Sequence, residues 1–120
     1  MAVQFLLPYG LAAGNNRKRD QQGWLMAIGL LPRVRVLDVG QGISGPYCAK
    51  ILAHLGAEVI KVEPPEGDDA RRIGPFPGDV PHLEKSGLYM ALNANKFGVT
   101  LDLESVNGAE AFRDLVKGAD

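Results

Sequence analysis

A single cysteine, Cys48, rules out an internal disulfide and offers no metal-ligand spacing. A lone thiol fits a reducing compartment, and Cys48 reads as a small hydrophobe buried on a helix. Long apolar runs are missing too. No stretch reaches the roughly 20 residues that a membrane-spanning helix needs, so no membrane association is expected. The apolar start MAVQFLLPYGLAAG has no basic region before it and is interrupted by Pro8 and Gly10. A secretory signal is therefore not expected, and the expected location is the cytoplasm. Neither sign of charge dominates. Thirteen Lys and Arg face fourteen Asp and Glu, which leaves out the basic excess of a dedicated nucleic-acid binder. The two histidines, His54 and His82, have no partner at catalytic or ligand spacing, so they read as surface residues and no metal is expected. What the chain has in quantity is glycine, 15 of 120 residues, which points to turns and close backbone approaches. The length suits one domain.

Residues 1–32 read differently from the rest. An apolar patch, a polar cluster from Asn15 to Gln22 and a second apolar run from Trp24 to Leu31 follow one another, and the second run fits either a strand or a short helix. RKRD within the cluster reads as a solvated turn. From Arg33 onward the pattern is regular. Val34–Val39 predicts a strand buried in a sheet. Pro46 suits a helix start. Tyr47, Cys48, Ile51, Leu52 and Leu55 then give an apolar stripe at helical spacing, and Gly56 is placed to end the helix in a left-handed conformation. Glu58–Glu63 predicts a second strand, stopped by Pro64-Pro65. Strand, helix and strand in roughly 30 residues form a βαβ unit. Glu66–Gly87 is loop-rich, and loops of this length are functional or mobile. Leu88–Lys96 predicts a short helix or turn, and Gly98–Leu103 a third strand. A last helix is capped by Ser105 or Asn107, with Ala111, Phe112, Leu115 and Val116 as its apolar face. A further strand is expected after it.

GQGISG, Gly40–Gly45, matches the G-x-G-x-x-G pattern letter for letter, and Glu63 follows at the distance where the dinucleotide fingerprint has its acid. Glycines let backbone N–H groups approach a phosphate at a helix N-terminus. The same residues also describe an ordinary tight turn between strand and helix. Against an NAD site, Pro46 directly follows the third glycine, and Asp38 lies within the strand where an apolar residue is usual. Glu63 could hold ribose hydroxyls, but before Pro64-Pro65 it reads as a solvated carboxylate at a strand end. Arg71 and Arg72 in DDARR could bind phosphate or form a salt-bridged loop. Ser44 lacks the context of a nucleophile elbow and reads as a loop hydroxyl.

Taken together, RVLDVGQGISGPYCAKILAHLGAEVIKVEPPEGDDARRIGP and NANKFGVTLDLES resemble the N-terminal part of the class III CoA-transferases, the group that includes formyl-CoA and carnitine CoA-transferases and alpha-methylacyl-CoA racemase. The pieces VLD, GP, LGAEVIKVEPP, GD…RR…GP, N.NK and TLDL stand in the family's order, which is far more specific than the glycine pattern. The resemblance divides the chain into an atypical extension, 1–32, and a partial CoA-transferase domain, 33–120. It implies an α/β fold with a partial Rossmann-like parallel sheet and flanking helices, binding coenzyme A and no metal. The implied reaction is CoA transfer between carboxylic acids through acyl-anhydride and aspartyl-CoA thioester intermediates. Ile43, Ser44, Leu101, Asp102, Leu103 and Glu104 are the implied CoA-contacting positions, Glu104 standing where the family more often has Lys or Arg. The implied partners are CoA or acyl-CoA and a second copy or complementing chain. Family members are about three times longer, so the acyl-accepting aspartate is expected beyond this stretch and the chain alone is expected to be inactive. A CoA-binding module, or half of a split transferase or racemase, is the alternative. An NAD-binding oxidoreductase fragment is the outsider.

Overall fold

The structure, a computed structural model, describes residues 29–120. Most of the Trp24–Leu31 run, and so the choice between strand and helix there, lies outside the described residues. Three strands alternate with helices: β1 Arg35–Asp38, α1 Ser44–His54, β2 Glu58–Glu63, α2 Gly87–Leu92, β3 Phe97–Thr100 and α3 Val106–Val116. Two short 3₁₀ turns, Asp69–Arg72 and Pro77–Asp79, lie in the long connection after β2. The sheet is parallel in the order β1-β2-β3, with Arg35 opposite Glu58, Asp38 opposite Lys61, Ile60 opposite Phe97 and Glu63 opposite Thr100. The βαβ expectation is met, and β2 has the residues expected for it.

Alternation along β2 places two cores on opposite faces. Val59 joins Ala49 and Ala57 under α1, with Val34, Val36, Leu52 and Ala53 packed around them. Ile60 and Val62 face the other way, where Val99, Leu101 and the α3 residues Ala111, Phe112 and Leu115 close over them. Ser105, one of the two expected caps, accepts from the Gly108 N–H and starts α3. Gly56 does adopt a left-handed φ of 98° after α1.

The stripe expected to bury α1 is corrected. Tyr47, Cys48 and Ile51 are exposed, and the helix meets the sheet through Pro46 and Ala49, with Leu52 and Ala53 behind them. Of the expected stripe, Leu52 packs on the core and Leu55 is half-buried, while Tyr47, Cys48 and Ile51 point to solvent. The helix also starts two residues before Pro46. Proline is tolerated there because the first-turn N–H groups have no intrahelical acceptor. After α3 the chain returns to the outer edge of β1, where the Asp120 N–H bonds the Arg35 carbonyl at 3.0 Å and the Arg35 N–H bonds Asp120 Oδ2 at 2.9 Å.

Candidate functional site

Parallel strands leave a crevice beyond their carboxyl ends, where ligands of open α/β sheets bind. A cleft of about 430 Å³ occupies that position here, lined by Val39 and Gln41 after β1, Val62–Glu66 at the end of β2, and Leu101–Glu104 after β3. This volume is within the range of small-molecule pockets. Leu101 is buried at the cleft base, while Asp102, Leu103 and Glu104 are exposed. Four of the six candidate positions therefore share one cleft. Ile43 and Ser44 are exposed at the start of α1 and are not among its lining residues. Glu63, Glu66, Asp102 and Glu104 make the lining acidic, with no Lys or Arg in it. Two cations bond lining residues directly: Arg71 pairs with Glu63 at 2.6 Å, and Arg72, half exposed, donates to the Glu66 carbonyl at 2.8 Å and lies 3.5 Å from Asp69.

Glu63 overturns the expectation of a solvated strand-end carboxylate. It is buried and saturated. Arg71 donates through Nε to Oε2 at 2.6 Å and through its terminal nitrogen to Oε1 at 2.9 Å. The Tyr89 hydroxyl donates to Oε1 and the Asp68 N–H to Oε2. Four donors fill the lone-pair sites of a carboxylate, leaving none for ribose hydroxyls. Burial pushes the Glu63 carboxyl up, but the bonds from Arg71, Tyr89 and the Asp68 amide outweigh it and hold it below the ordinary range. Arg71 also reaches Leu83 and Glu84 and lies 3.7 Å from the centre of the Tyr89 ring. The salt-bridged reading of DDARR therefore holds for Arg71. Burial, then the bond to Glu63, drives the Tyr89 hydroxyl far up, so it stays protonated as a donor.

A second buried cluster was not legible in the sequence. Lys96 Nζ bonds Asp38 at 2.8 Å, the Pro46 carbonyl at 2.7 Å and Asn93 at 2.8 Å. Burial pushes this ammonium below its ordinary value, and Asp38 only partly restores it. Lys61, wholly buried in the middle of β2, lies 2.6 Å from Asp68 and 4.0 Å from Asp38, and donates to the Gly40 carbonyl. Burial pushes Asp68 up, but Lys61 and the Ala70 and Gly42 N–H groups hold it below the ordinary range. The signal available beforehand was a charged residue inside each of two hydrophobic strands, Asp38 and Lys61, which the register places opposite each other.

The glycine loop is explained without a phosphate. A Cβ on Gly40 would meet Gly45 Cα at 3.0 Å and the Pro46 ring at 3.1 Å, so the first and third glycines let strand end and helix start touch. Gly42 has a φ of 72°, which favours glycine at the turn. Among the described residues no cluster of three or more His, Cys, Asp or Glu could hold a metal ion, and no helix is long and apolar enough to cross a membrane.

Comparison with known proteins adds sequence and shape evidence. Residues 31–120 match the model for CoA-transferase family III. The chain is 49% identical over 88 residues to succinyl-CoA:(R)-benzylsuccinate CoA-transferase subunit BbsE of Thauera aromatica, covering 73% of this chain and 21% of that protein. It is 42% identical over 93 residues to succinyl-CoA:mesaconate CoA-transferase of Haloarcula hispanica, covering 78% and 24%. Among solved structures, a CAIB/BAIF family protein from Brucella suis superposes with a TM-score of 0.67 at 35% identity, over 77% of this chain and 24% of that one. The chain thus spans 21–24% of the length of these relatives.

Proposed function

The chain belongs to CoA-transferase family III, and from this we propose that residues 33–120 form the CoA-thioester-binding part of a CoA-transferase. The observation that carries the proposal is the cleft, which brings TLDL, after β3, against the end of VIKVEPP. In this reading Leu101 and Leu103 give the ligand an apolar floor and wall. Asp102 and Glu104 stand beside its polar groups, and Arg72 at the rim faces its phosphates. Ile43 and Ser44 are assigned a peripheral role at the helix start. We assign the outer edge of β1, where Asp120 and Arg35 bond each other, to a fourth strand, which would make the sheet Rossmann-like with its crevice beside β1.

Binding is assigned to this chain and turnover is not. Of the cleft carboxylates, Glu63 is locked by four donors, and in this reading the acyl-accepting aspartate is assigned to another segment of the family fold. The test is direct. The purified chain should bind CoA in a calorimetric titration and should not exchange CoA between an acyl-CoA and a free acid. Exchange by the chain alone would refute the division of roles. One observation favours a complementing chain: the BbsE relative is by name a subunit. A stable complex with a second polypeptide that restores exchange would support that assembly, and no complex with any such chain would count against it.

A further inference from the structure

Two N–H groups of the glycine loop are taken by buried carboxylates. The Gly40 N–H donates to Asp38 Oδ1 at 3.1 Å, and the Gly42 N–H donates to Asp68 Oδ1 at 3.0 Å. Asp68 has no exposed surface and comes from the loop after β2, 26 residues further along the chain. Its Oδ1 also accepts from the Ala70 N–H at 2.8 Å, and its Oδ2 lies 2.6 Å from Lys61 Nζ. Backbone N–H groups from a glycine turn together with a lysine ammonium are the donor set with which proteins cradle phosphate. Here one N–H of the glycine turn, the Ala70 N–H and the Lys61 ammonium converge on a single anion, and that anion is a side chain of the protein.

We propose that Asp68 is a built-in anion of the glycine loop and a specificity-determining residue: it closes GQGISG to pyrophosphate and so excludes dinucleotides from a loop whose sequence invites them. Asp38 reinforces the closure by capping Gly40. The wholly buried Lys61 needs a close counter-charge, and Asp68 at 2.6 Å is nearer to it than Asp38 at 4.0 Å. The inference goes beyond CoA binding and does not depend on it, since its probes are formate and inorganic pyrophosphate.

Asp68→Ala in the 120-residue chain tests it by chemical rescue. The variant should melt lower than the parent chain. Formate should raise its midpoint in a concentration-dependent way that chloride at matched ionic strength does not reproduce, because a small carboxylate refills the place beside Lys61. Pyrophosphate should shift the Gly42 amide resonance in the variant and leave it unmoved in the parent chain. In the double variant Lys61→Met/Asp68→Ala the formate effect should vanish. Equal responses to formate and chloride, or formate rescue surviving in the double variant, would overturn the proposal. If Asp68→Ala does not fold in either salt, the parent chain and Asp68→Asn decide. Asn keeps an oxygen for the Gly42 and Ala70 N–H groups, so neither protein should show a Gly42 shift with pyrophosphate, and a saturable shift in either overturns the proposal.

Discussion

Glu104 is the residue at which the electrostatics of the cleft are easiest to change. CoA carries several negative charges, and the lining holds Glu66, Asp102 and Glu104 besides the Arg71-paired Glu63, with no Lys or Arg. Glu104 is exposed, so its effect is that of a screened surface charge, about 0.2–1 kcal/mol. Glu104→Lys should therefore tighten CoA binding by roughly 1.4- to fivefold, more at low salt than at high, as read by calorimetry at two ionic strengths. Arg72→Ala should weaken binding by a similar factor. Glu63 belongs to a different regime. Glu63→Ala would leave two of the three bonded Arg71 nitrogens and the Tyr89 hydroxyl buried without their acceptor, and breaking a buried pair costs about 3–5 kcal/mol, measurable by urea unfolding. The acid limb has a defined sign. Glu63 and Asp68 are both held below their ordinary values, so between the folded and unfolded pKa values the folded protein binds fewer protons than the unfolded chain. Their contribution to stability is complete above the ordinary carboxylate range and is lost as pH falls through the lower folded values. Melting followed from pH 7 into acid should show this loss, and Asp68→Asn should flatten it.

At the scale of elements, β2 was readable to the residue because its β-branched core and the Pro64-Pro65 stop both belong to the local sequence. α1 was readable as a helix but not in its orientation. Of the stripe Tyr47, Cys48, Ile51, Leu52 and Leu55, only the Leu52 and Leu55 side turns inward, and which face meets the sheet is set by how closely Pro46 and Ala49 let the helix approach. Cys48 should accordingly react with a thiol reagent in the native chain at a rate close to that of the unfolded one. Strong protection would show that the α1 face is covered. The glycine loop teaches the same lesson. Its pattern is local, but the reason for Gly40 and Gly45 is their contact with each other, and Gly45→Ala would place a Cβ 3.1 Å from Gly40 Cα. Backbone lies on both sides of that contact, so the substitution should cost about 1–3 kcal/mol.

Across the whole molecule, the pieces by which the chain resembles its family meet in space. Asp38 of VLD, Pro46 of GP, and Asn93 and Lys96 of N.NK converge on one ammonium. Lys61 and Glu63 of VIKVEPP join Asp68 and Arg71 of the following loop. The long connection after β2, expected to be functional or mobile, is tethered by these buried groups and by Ser86, whose hydroxyl bonds the Ala70 carbonyl. Most of the family signature in this chain thus builds the frame, and only TLDL and the end of β2 reach the cleft. Local patterns could not show this, because the partners lie up to 58 residues apart. The measurement that tests the central claim most directly is the thermal melt of the 120-residue chain with CoA and, separately, with NAD. CoA should raise the midpoint in a saturable way and NAD should leave it unchanged. Protection by NAD with none from CoA would contradict the assignment.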